Sequence, residues 1–148
     1  MSERTPITRT VETRVSEIMT SDPVTTPPTA TIGDVIRLMY SDDIRHLPVV
    51  EGTRLLGIVS DRDLRSFSLP DLLASDALTE PSRRLEEPIS SIMRGDVLSI
   101  DEDASVDALI DLMLETKIGA IPVVESGSET LVGIASYIDI LETARGEI

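Results

Sequence analysis

The sequence predicts an α+β fold made of two similar β-α-β-β-α units. The first observation is an internal repeat, because Met93 follows Met19, and Pro122 follows Pro48, at the same interval of 74 positions (93 − 19 and 122 − 48). The second is that each half has apolar residues at helical spacing followed by two β-rich runs around a turn. Two units are too few for a solenoid, so we expect two modules packed about a pseudo-twofold axis.

The interval between corresponding residues lengthens inside the hairpin. Gly133 follows Gly57, and Ser136 follows Ser60, at 76 positions (133 − 57 and 136 − 60), so the second copy has two additional residues in its hairpin turn. Turns tolerate insertions because they run over the surface. Both halves are therefore predicted to have the same topology.

The elements of the first unit follow from local patterns. Thr31 is suited to cap a helix whose inward positions recur at helical spacing. Apolar runs at 48–50 and 55–59 flank a glycine-containing turn and predict an antiparallel hairpin. Pro27 and Pro28 end the preceding strand, since proline has no N–H to donate. The predicted order is a helical turn over 15–19, a strand over 24–26, a helix over 31–41, the two strands, and a helix over 61–67.

The second unit repeats this order. Met39 and Met113 occupy corresponding apolar helix positions and are predicted to lie in the core. The predicted elements are a short helix over 89–93, a strand over 97–100, a helix over 105–116, strands over 120–125 and 131–136, and a helix over 137–144. The predicted organisation is an N-terminal arm over 1–14, a first repeat over 15–68, a linker over 69–85 and a second repeat over 86–148.

Composition restricts the classes of function. The chain has 27 acidic and 13 basic residues among 148, a formal net charge of −14, which argues against nucleic acid as a partner because phosphate binding needs clustered Lys and Arg. Hydrophobic residues make up 41%, enough for a core, but no apolar run approaches the roughly 20 residues that cross a bilayer. The N-terminus has no apolar signal segment. We expect a cytoplasmic protein without membrane contact.

A second recurring pattern is S-x-x-D at the start of the last helix of each unit. It comprises Ser60 with Asp63 in the first copy and Ser136 with Asp139 in the second. One interpretation is structural, because serine caps helices well and a carboxylate in the first turn favours the helix dipole. The other is that these side chains contact a ligand. The pattern alone leaves both interpretations open.

The order I-R-H-L-P-V-V…G-I-V-S-D-R-D resembles a cystathionine-β-synthase (CBS) domain, and the second half resembles another. Together they look like a CBS pair, or Bateman module, spanning 15–141. The resemblance implies a module that binds adenosine-containing molecules such as AMP, ADP, ATP or S-adenosylmethionine in clefts between the repeats. It further implies that the Asp of S-x-x-D holds the ribose hydroxyls and that its Ser reaches phosphate or ribose.

The resemblance also implies composite clefts, in which the S-x-x-D motif of one repeat meets the first strand and the segment before P-V-V of the other. The first cleft would combine Ser60, Arg62 and Asp63 with Leu98, Ser99, Ile118, Gly119 and Ala120. The second would combine Ser136 and Asp139 with Val24, Thr25, Thr26, Ile44, Arg45 and His46. On this assignment each cleft has one source of positive charge, Arg62 in the first and Arg45 with His46 in the second.

Other interpretations of these residues remain open at this point. Arg45 and Arg62 are equally suited to surface ion pairs in an acidic chain. His46 is the single histidine and cannot form a metal site without cysteine or clustered carboxylates. Because the chain has no cysteine, no second histidine and no glycine-rich phosphate loop, we find no catalytic constellation.

The sequence therefore predicts a non-enzymatic sensor of adenine nucleotide or S-adenosylmethionine, without a bound cofactor or metal. We expect it to form a homodimer, because the helices at the ends of the units have too little of their own chain to cover them. The alternative is a structural protein–protein interaction module whose clefts stay empty.

Overall fold

The computed structural model describes residues 13–65, 84–93 and 97–146 and confirms the α+β class. The helices are α1 (Val15–Ile18), α2 (Ile32–Ser41), α3 (Val106–Thr116) and α4 (Tyr137–Gly146). The strands are β1 (Thr20–Ser21), β2 (His46–Glu51), β3 (Arg54–Ser60), β4 (Ile100–Asp101), β5 (Ala120–Val124) and β6 (Leu131–Ser136). No described helix is long and apolar enough to cross a membrane.

The chain forms two compact units that do not coincide with the sequence repeats. The first-repeat unit comprises Val24–Val97, and the second-repeat unit comprises Leu98–Ile148 together with Met1–Pro23. The described part of the opening segment, residues 13–23, therefore belongs to the unit of the second repeat. The predicted repeat limits, 15–68 and 86–148, concern the duplication in the sequence and stay a prediction.

In the first-repeat unit, α2 packs on the hairpin of β2 and β3. The Thr31 hydroxyl oxygen accepts a hydrogen bond from the Asp34 N–H over 3.1 Å, which is the predicted N-cap. One face of α2 is buried with residues of both strands, forming the core of Ile32, Val35, Ile36, Met39, Leu47, Val49 and Val59. Apart from Met39 this core is aliphatic, in keeping with an aromatic content of only 2% in the chain.

The second-repeat unit has the same arrangement. The Ser105 hydroxyl oxygen caps α3 by accepting from the Ala108 N–H over 3.0 Å. Buried residues of α3, including Leu109 and Met113, pack with Ile121 and Val123 of β5. The sheet has the order β1-β6-β5-β4, with β4 parallel to β5 and the other pairs antiparallel. Met39 and Met113 are thus both buried at corresponding helix positions, as predicted.

The short strands differ from the sequence prediction. The strand predicted over 24–26 is a single parallel bridge between Thr26 and Val49, because Pro27 follows and cannot donate to a ladder. The strand predicted over 97–100 pairs only at Ile100–Asp101. Val49 and Val123 correspond in the repeat, so both units place their first strand segment parallel to the same position of the hairpin.

The short helices also differ. The segment Arg62–Leu64 is a single 3₁₀ turn instead of the start of a helix over 61–67, whose last two residues lie outside the described residues. Ile89–Ser91 is likewise a 3₁₀ turn. Most of the predicted linker over 69–85, and the arm up to residue 12, also lie outside the described residues.

The two repeats exchange their opening segments. Val15 of the first repeat lies in the core of the second-repeat unit, and Ile89 of the second repeat lies in the core of the first-repeat unit. Both side chains are 0% exposed. Each unit is therefore completed by a segment from the other repeat.

Candidate functional site

The S-x-x-D motif of the first repeat is a reciprocal hydrogen-bonded pair at the end of β3. The Ser60 N–H donates to Asp63 Oδ2 over 2.9 Å, and the Asp63 N–H donates to the Ser60 hydroxyl oxygen over 3.3 Å. This is the geometry of a capping box, in which two backbone donors at the start of a helical turn are satisfied. Both side chains are half-buried, so the pair remains within reach of solvent.

The second motif has the same geometry at the start of α4. The Ser136 N–H donates to Asp139 Oδ2 over 2.9 Å, and the Asp139 N–H donates to the Ser136 hydroxyl oxygen over 3.2 Å. The Ser136 hydroxyl also donates to Asp139 Oδ2 over 3.2 Å. These contacts engage Oδ2 alone, so the capping role leaves the other carboxylate oxygen, Oδ1, outside the pair. Capping and ligand binding are therefore compatible roles for this aspartate.

The start of the second strand lies beside the motif in each unit. His46 pairs with Ser60 in the antiparallel register, and the Asp61 N–H donates to the Arg45 carbonyl oxygen over 2.9 Å. This register brings the Arg45–His46 backbone next to the S-x-x-D motif of the same repeat. The basic residues Arg45, His46 and Arg62 consequently belong to one unit.

The second-repeat unit repeats this backbone contact with different side chains. Ala120 pairs with Ser136, and the Tyr137 N–H donates to the Gly119 carbonyl oxygen over 3.0 Å. A Cβ built on Gly119 would lie 3.1 Å from Cδ1 of Tyr137. The missing side chain at Gly119 therefore makes room for the tyrosine ring.

The clefts that the resemblance implied are composite and combine residues of both repeats. Within each unit, the hairpin register places the backbone of Arg45 and His46 beside Ser60, and that of Gly119 and Ala120 beside Ser136 and Tyr137. These backbone contacts lie within one repeat and do not test the composite grouping, which stays a prediction.

The remaining predicted residues divide between the units in the same way. Thr26 is buried beside β2, where its N–H donates to Pro48 O over 3.1 Å and its carbonyl accepts from the Val50 N–H over 2.9 Å. Val24, Thr25 and Ile44 lie in the same unit, Val24 being exposed and Ile44 packing on the core. Leu98 and Ile118 pack on the core of the second-repeat unit, and Ser99 is exposed.

Electrostatics single out the first-repeat unit. Burial lowers the pKa of His46 below its ordinary value of 6.5, although Asp61 and Asp63 oppose this effect and Arg45 adds to it. Asp61, whose charge acts on His46, was not among the predicted site residues. Its place directly after Ser60 in S-D-R-D could have indicated that it lies near the motif. Within the described residues, no group of three or more His, Cys, Asp or Glu side chains could hold a metal ion.

Fold and site together define a class of protein: a tandem pair of α+β repeats, each presenting a Ser–Asp pair beside the start of a buried strand. The chain belongs to the CBS-domain family, whose model matches residues 15–69 and 89–146. The match covers both repeats and confirms the resemblance seen in the sequence.

Two solved structures show the likeness across nearly the whole chain. A putative acetoin utilization protein, AcuB, from Vibrio cholerae is 36% identical, with a TM-score of 0.71 over 90% of this chain and 91% of that one. The CBS domain pair of protein MJ0100, in complex with 5′-methylthioadenosine and S-adenosyl-L-methionine, is 26% identical, with a TM-score of 0.72 over 92% and 98% of the two chains.

Curated relatives include longer proteins. An uncharacterized 33.4 kDa protein of Thermofilum pendens is 36% identical over 131 residues, which cover 86% of this chain and 42% of that protein. An inosine-5′-monophosphate dehydrogenase of Methanocaldococcus jannaschii is 26% identical over 87% of this chain and only 23% of the enzyme. The chain thus spans less than half the length of these relatives.

Proposed function

We propose that the chain is a non-enzymatic regulatory module that binds adenosine-containing small molecules beside its S-x-x-D motifs. The observation that carries the proposal is the recurrence, in both units, of a half-buried Ser–Asp pair next to the start of a buried strand. A ligand complex of a related CBS pair, MJ0100 with 5′-methylthioadenosine and S-adenosyl-L-methionine, supports the class of ligand.

The chemistry of the pair fits an adenosine ligand. A carboxylate accepts hydrogen bonds without donating any, so it suits the two neighbouring hydroxyls of a ribose. Each aspartate is held by the serine N–H, which fixes the carboxylate before a ligand arrives. Such preorganisation lowers the entropic cost of binding, because the carboxylate is already ordered. Apolar residues beside the strand starts, such as Ile44 and Ile118, would contact the adenine ring.

A thermal-shift screen tests this function. The protein is heated with AMP, ADP, ATP, S-adenosylmethionine and NAD in turn, because a ligand that binds only the folded state stabilises it by RT ln(1 + [L]/Kd). A hundredfold excess over Kd corresponds to about 2.7 kcal/mol. If no adenosine compound at millimolar concentration raises the midpoint, or produces heat in calorimetry, the proposal is wrong.

The second candidate function is a protein–protein interaction module without a small ligand. Exposed apolar side chains on α4 favour it, since Tyr137, Ile138 and Leu141 are 56%, 51% and 61% exposed. Exposed apolar groups close together often mark interaction surfaces. A result in which the screen is negative while Leu141→Glu changes the oligomeric state or abolishes partner binding would support this candidate.

A further inference from the structure

Residues 13–21 of the opening segment are bound by the second-repeat unit through backbone hydrogen bonds. The Val106 N–H donates to the Thr13 carbonyl oxygen over 2.8 Å, and the Ser16 N–H donates to the Glu102 carbonyl oxygen over 3.0 Å. The strand at the end of the segment, β1, pairs with β6. Backbone recognition of this kind is satisfied equally well by the same segment of another copy of the chain.

A strained turn joins this segment to the first-repeat unit. Asp22 has a φ of 50°, and a left-handed backbone brings the Cβ atom close to the following carbonyl oxygen. Pro23 follows directly, and a proline ring favours an extended conformation of the preceding residue, which Asp22 does not adopt. The chain passes from one compact unit to the other between Pro23 and Val24. The strain therefore lies at the point where the segment would separate from the rest of the chain.

The other described non-glycine residues with positive φ are explained by helix ends. Asp43, with φ 52°, and Lys117, with φ 60°, occupy corresponding positions after α2 and α3 (117 − 43 = 74). A left-handed residue commonly ends a helix, and the Lys117 N–H donates to the Met113 carbonyl oxygen over 2.7 Å. Asp22 follows a strand of two residues, so no helix end accounts for its conformation.

Exchange of the segment between two copies would keep every contact that holds it. The same hydrogen bonds and the same buried surface would form in the dimer as in the monomer. The monomer has the advantage of a tether, with an effective concentration in the millimolar range for a short linker. The dimer relieves the strain at two hinges, and for left-handed backbone this favours it by at least about thirtyfold. Exchange should therefore occur at tens of micromolar, since strained hinges promote swapping.

We propose that two copies of this chain exchange residues 13–21 about a hinge at Asp22 and Pro23, so that the second-repeat unit of each copy is completed by the other. The partner is a second copy because the receiving place matches the backbone register of this segment and encloses the side chain of Val15, which is 0% exposed. The inference does not rest on the proposed function. It also differs from association through α4, which requires no exchange.

Cysteine cross-linking tests the exchange, because the chain has no cysteine of its own. Thr20 of β1 and Ile134 of β6 are direct antiparallel partners, at a Cα separation that a disulfide can span. The full-length variants Thr20→Cys and Ile134→Cys, one of them labelled with heavy nitrogen, are mixed at about 1 to 100 μM and oxidised. Mass spectrometry then identifies disulfides between a heavy and a light chain. We expect a disulfide between positions 20 and 134 of different copies, in an amount that rises with concentration.

The hairpin of the second-repeat unit supplies the matched control. The Glu125 N–H donates to the Thr130 carbonyl oxygen over 2.8 Å, across the turn between β5 and β6. Glu125→Cys and Thr130→Cys therefore lie close together within a hairpin that is not exchanged, and the mixed single variants should not link to each other. The double variant Thr20→Cys/Ile134→Cys should form its disulfide within one chain in the monomer fraction and between chains in the dimer fraction.

Hinge variants test the cause of the exchange. Asp22→Gly removes the strain, because glycine adopts positive φ without a steric penalty. Introduced into both cysteine variants, it should lower the fraction of disulfides between copies by at least about tenfold. Asp43→Gly makes the same substitution at an exposed positive-φ position outside the hinge and should leave this fraction unchanged.

Each outcome supports or overturns the inference. If the double variant links within one chain while the mixed single variants never link between copies, there is no exchange, whether or not the protein dimerises through α4. A double variant that forms no disulfide at all would show that β1 does not pair with β6, which removes the premise. If Asp22→Gly exchanges as readily as Asp43→Gly, the hinge does not drive the exchange and the inference is wrong.

Discussion

The Val15 N–H donates a hydrogen bond to the Ala104 carbonyl oxygen over 2.8 Å, which joins the opening segment of the chain to the second repeat. The equivalent bond of the other unit runs from the Ile89 N–H, 74 positions after Val15, to the Ala30 carbonyl oxygen, 74 positions before Ala104, over 2.6 Å. Two backbone groups that are distant in sequence are thereby satisfied in each unit. The exchange is consequently part of the fold and not a loose docking of the termini.

The first prediction concerns the core contribution of the exchanged segment. Ile89→Ala should reduce the free energy of unfolding by about 2–5 kcal/mol, because it removes a fully buried side chain and leaves a cavity. Denaturant unfolding followed by circular dichroism measures the change. Leu114→Ala is the matched control, since Leu114 is 69% exposed and its loss should cost less than about 0.5 kcal/mol. Equal effects of the two substitutions would contradict the placement of Ile89.

The second prediction concerns the close approach of β1 to β6. A Cβ on Gly133 would lie 2.8 Å from the Thr20 carbonyl oxygen and would overlap Met19 Sδ. Gly133→Ala should therefore destabilise the protein by about 1–3 kcal/mol, because the backbone of β1 must shift. Gly146→Ala provides the control, as no atom lies within 4 Å of its added Cβ. A neutral Gly133→Ala variant in thermal unfolding would show that β1 does not pack there.

The third prediction concerns pH. Burial lowers the pKa of His46 in the folded state below 6.5, so the unfolded chain binds more protons between the folded pKa and 6.5. The part of the free energy of unfolding that depends on neutral His46 is therefore fully present above pH 6.5. It is lost as the pH falls through the folded pKa, with a slope of at most about 1.4 kcal/mol per pH unit. Unfolding curves of the protein and of His46→Gln from pH 5 to 8 measure this.

His46→Gln serves as the control for the other titratable groups, because it leaves every one of them unchanged. The stability of the two proteins should diverge on acidification below pH 6.5, with His46→Gln the less sensitive. Parallel curves throughout the range would mean that His46 has an ordinary pKa in the folded protein.

The fourth prediction concerns the aspartates. Asp63→Ala and Asp139→Ala should each weaken adenosine binding at one site by about ten- to a hundredfold, since each removes a charged acceptor for ribose hydroxyls. The lost capping contact should cost about 1 kcal/mol of stability. Isothermal titration measures the affinity, with unfolding curves beside it. Binding that survives both substitutions would place the ligand elsewhere.

The fifth prediction concerns assembly. We expect a homodimer at micromolar concentration, because the exposed side chains of Tyr137, Ile138 and Leu141 on α4 form an apolar surface. Light scattering at moderate salt measures the mass, and Leu141→Glu should shift it toward the monomer. Glu142→Gln, also exposed on this helix, is the control for a change of charge. A monomer under all these conditions would contradict the prediction.

Features that depend on local sequence could be predicted well. Thr31 caps its helix as expected, and Ser105 does the same at the corresponding position of the second repeat, because a cap depends on residues three positions apart. Met39 and Met113 are buried because the apolar periodicity of a helix determines its inward face. The hairpins were predicted from local sequence in the same way, because glycine and polar residues between two apolar runs indicate a turn.

Features that depend on distant pairing could not be predicted in this way. The exchange of opening segments joins Val15 to Ala104, in the connection between β4 and α3 almost ninety positions away. Hydrophobic periodicity carries no information about such distant partners. The pairing of His46 with Ser60 is an exception, because it could have been predicted. Counting outward from the hairpin turn places His46 opposite Ser60 once the bulge at Val49 and Val50 is allowed for.

The exchanged segments bear on how such a chain could have arisen. A polypeptide with one repeat would have both an opening segment and a place that receives one, but in this fold that place is filled from the other repeat, so two separate copies would have to exchange segments. Fusion of two copies in one gene converts that bimolecular encounter into an intramolecular one, for which effective concentrations reach the millimolar range with short flexible linkers. Once the copies are joined, each is free to mutate separately, and the loss of arginine at one position no longer removes it from both.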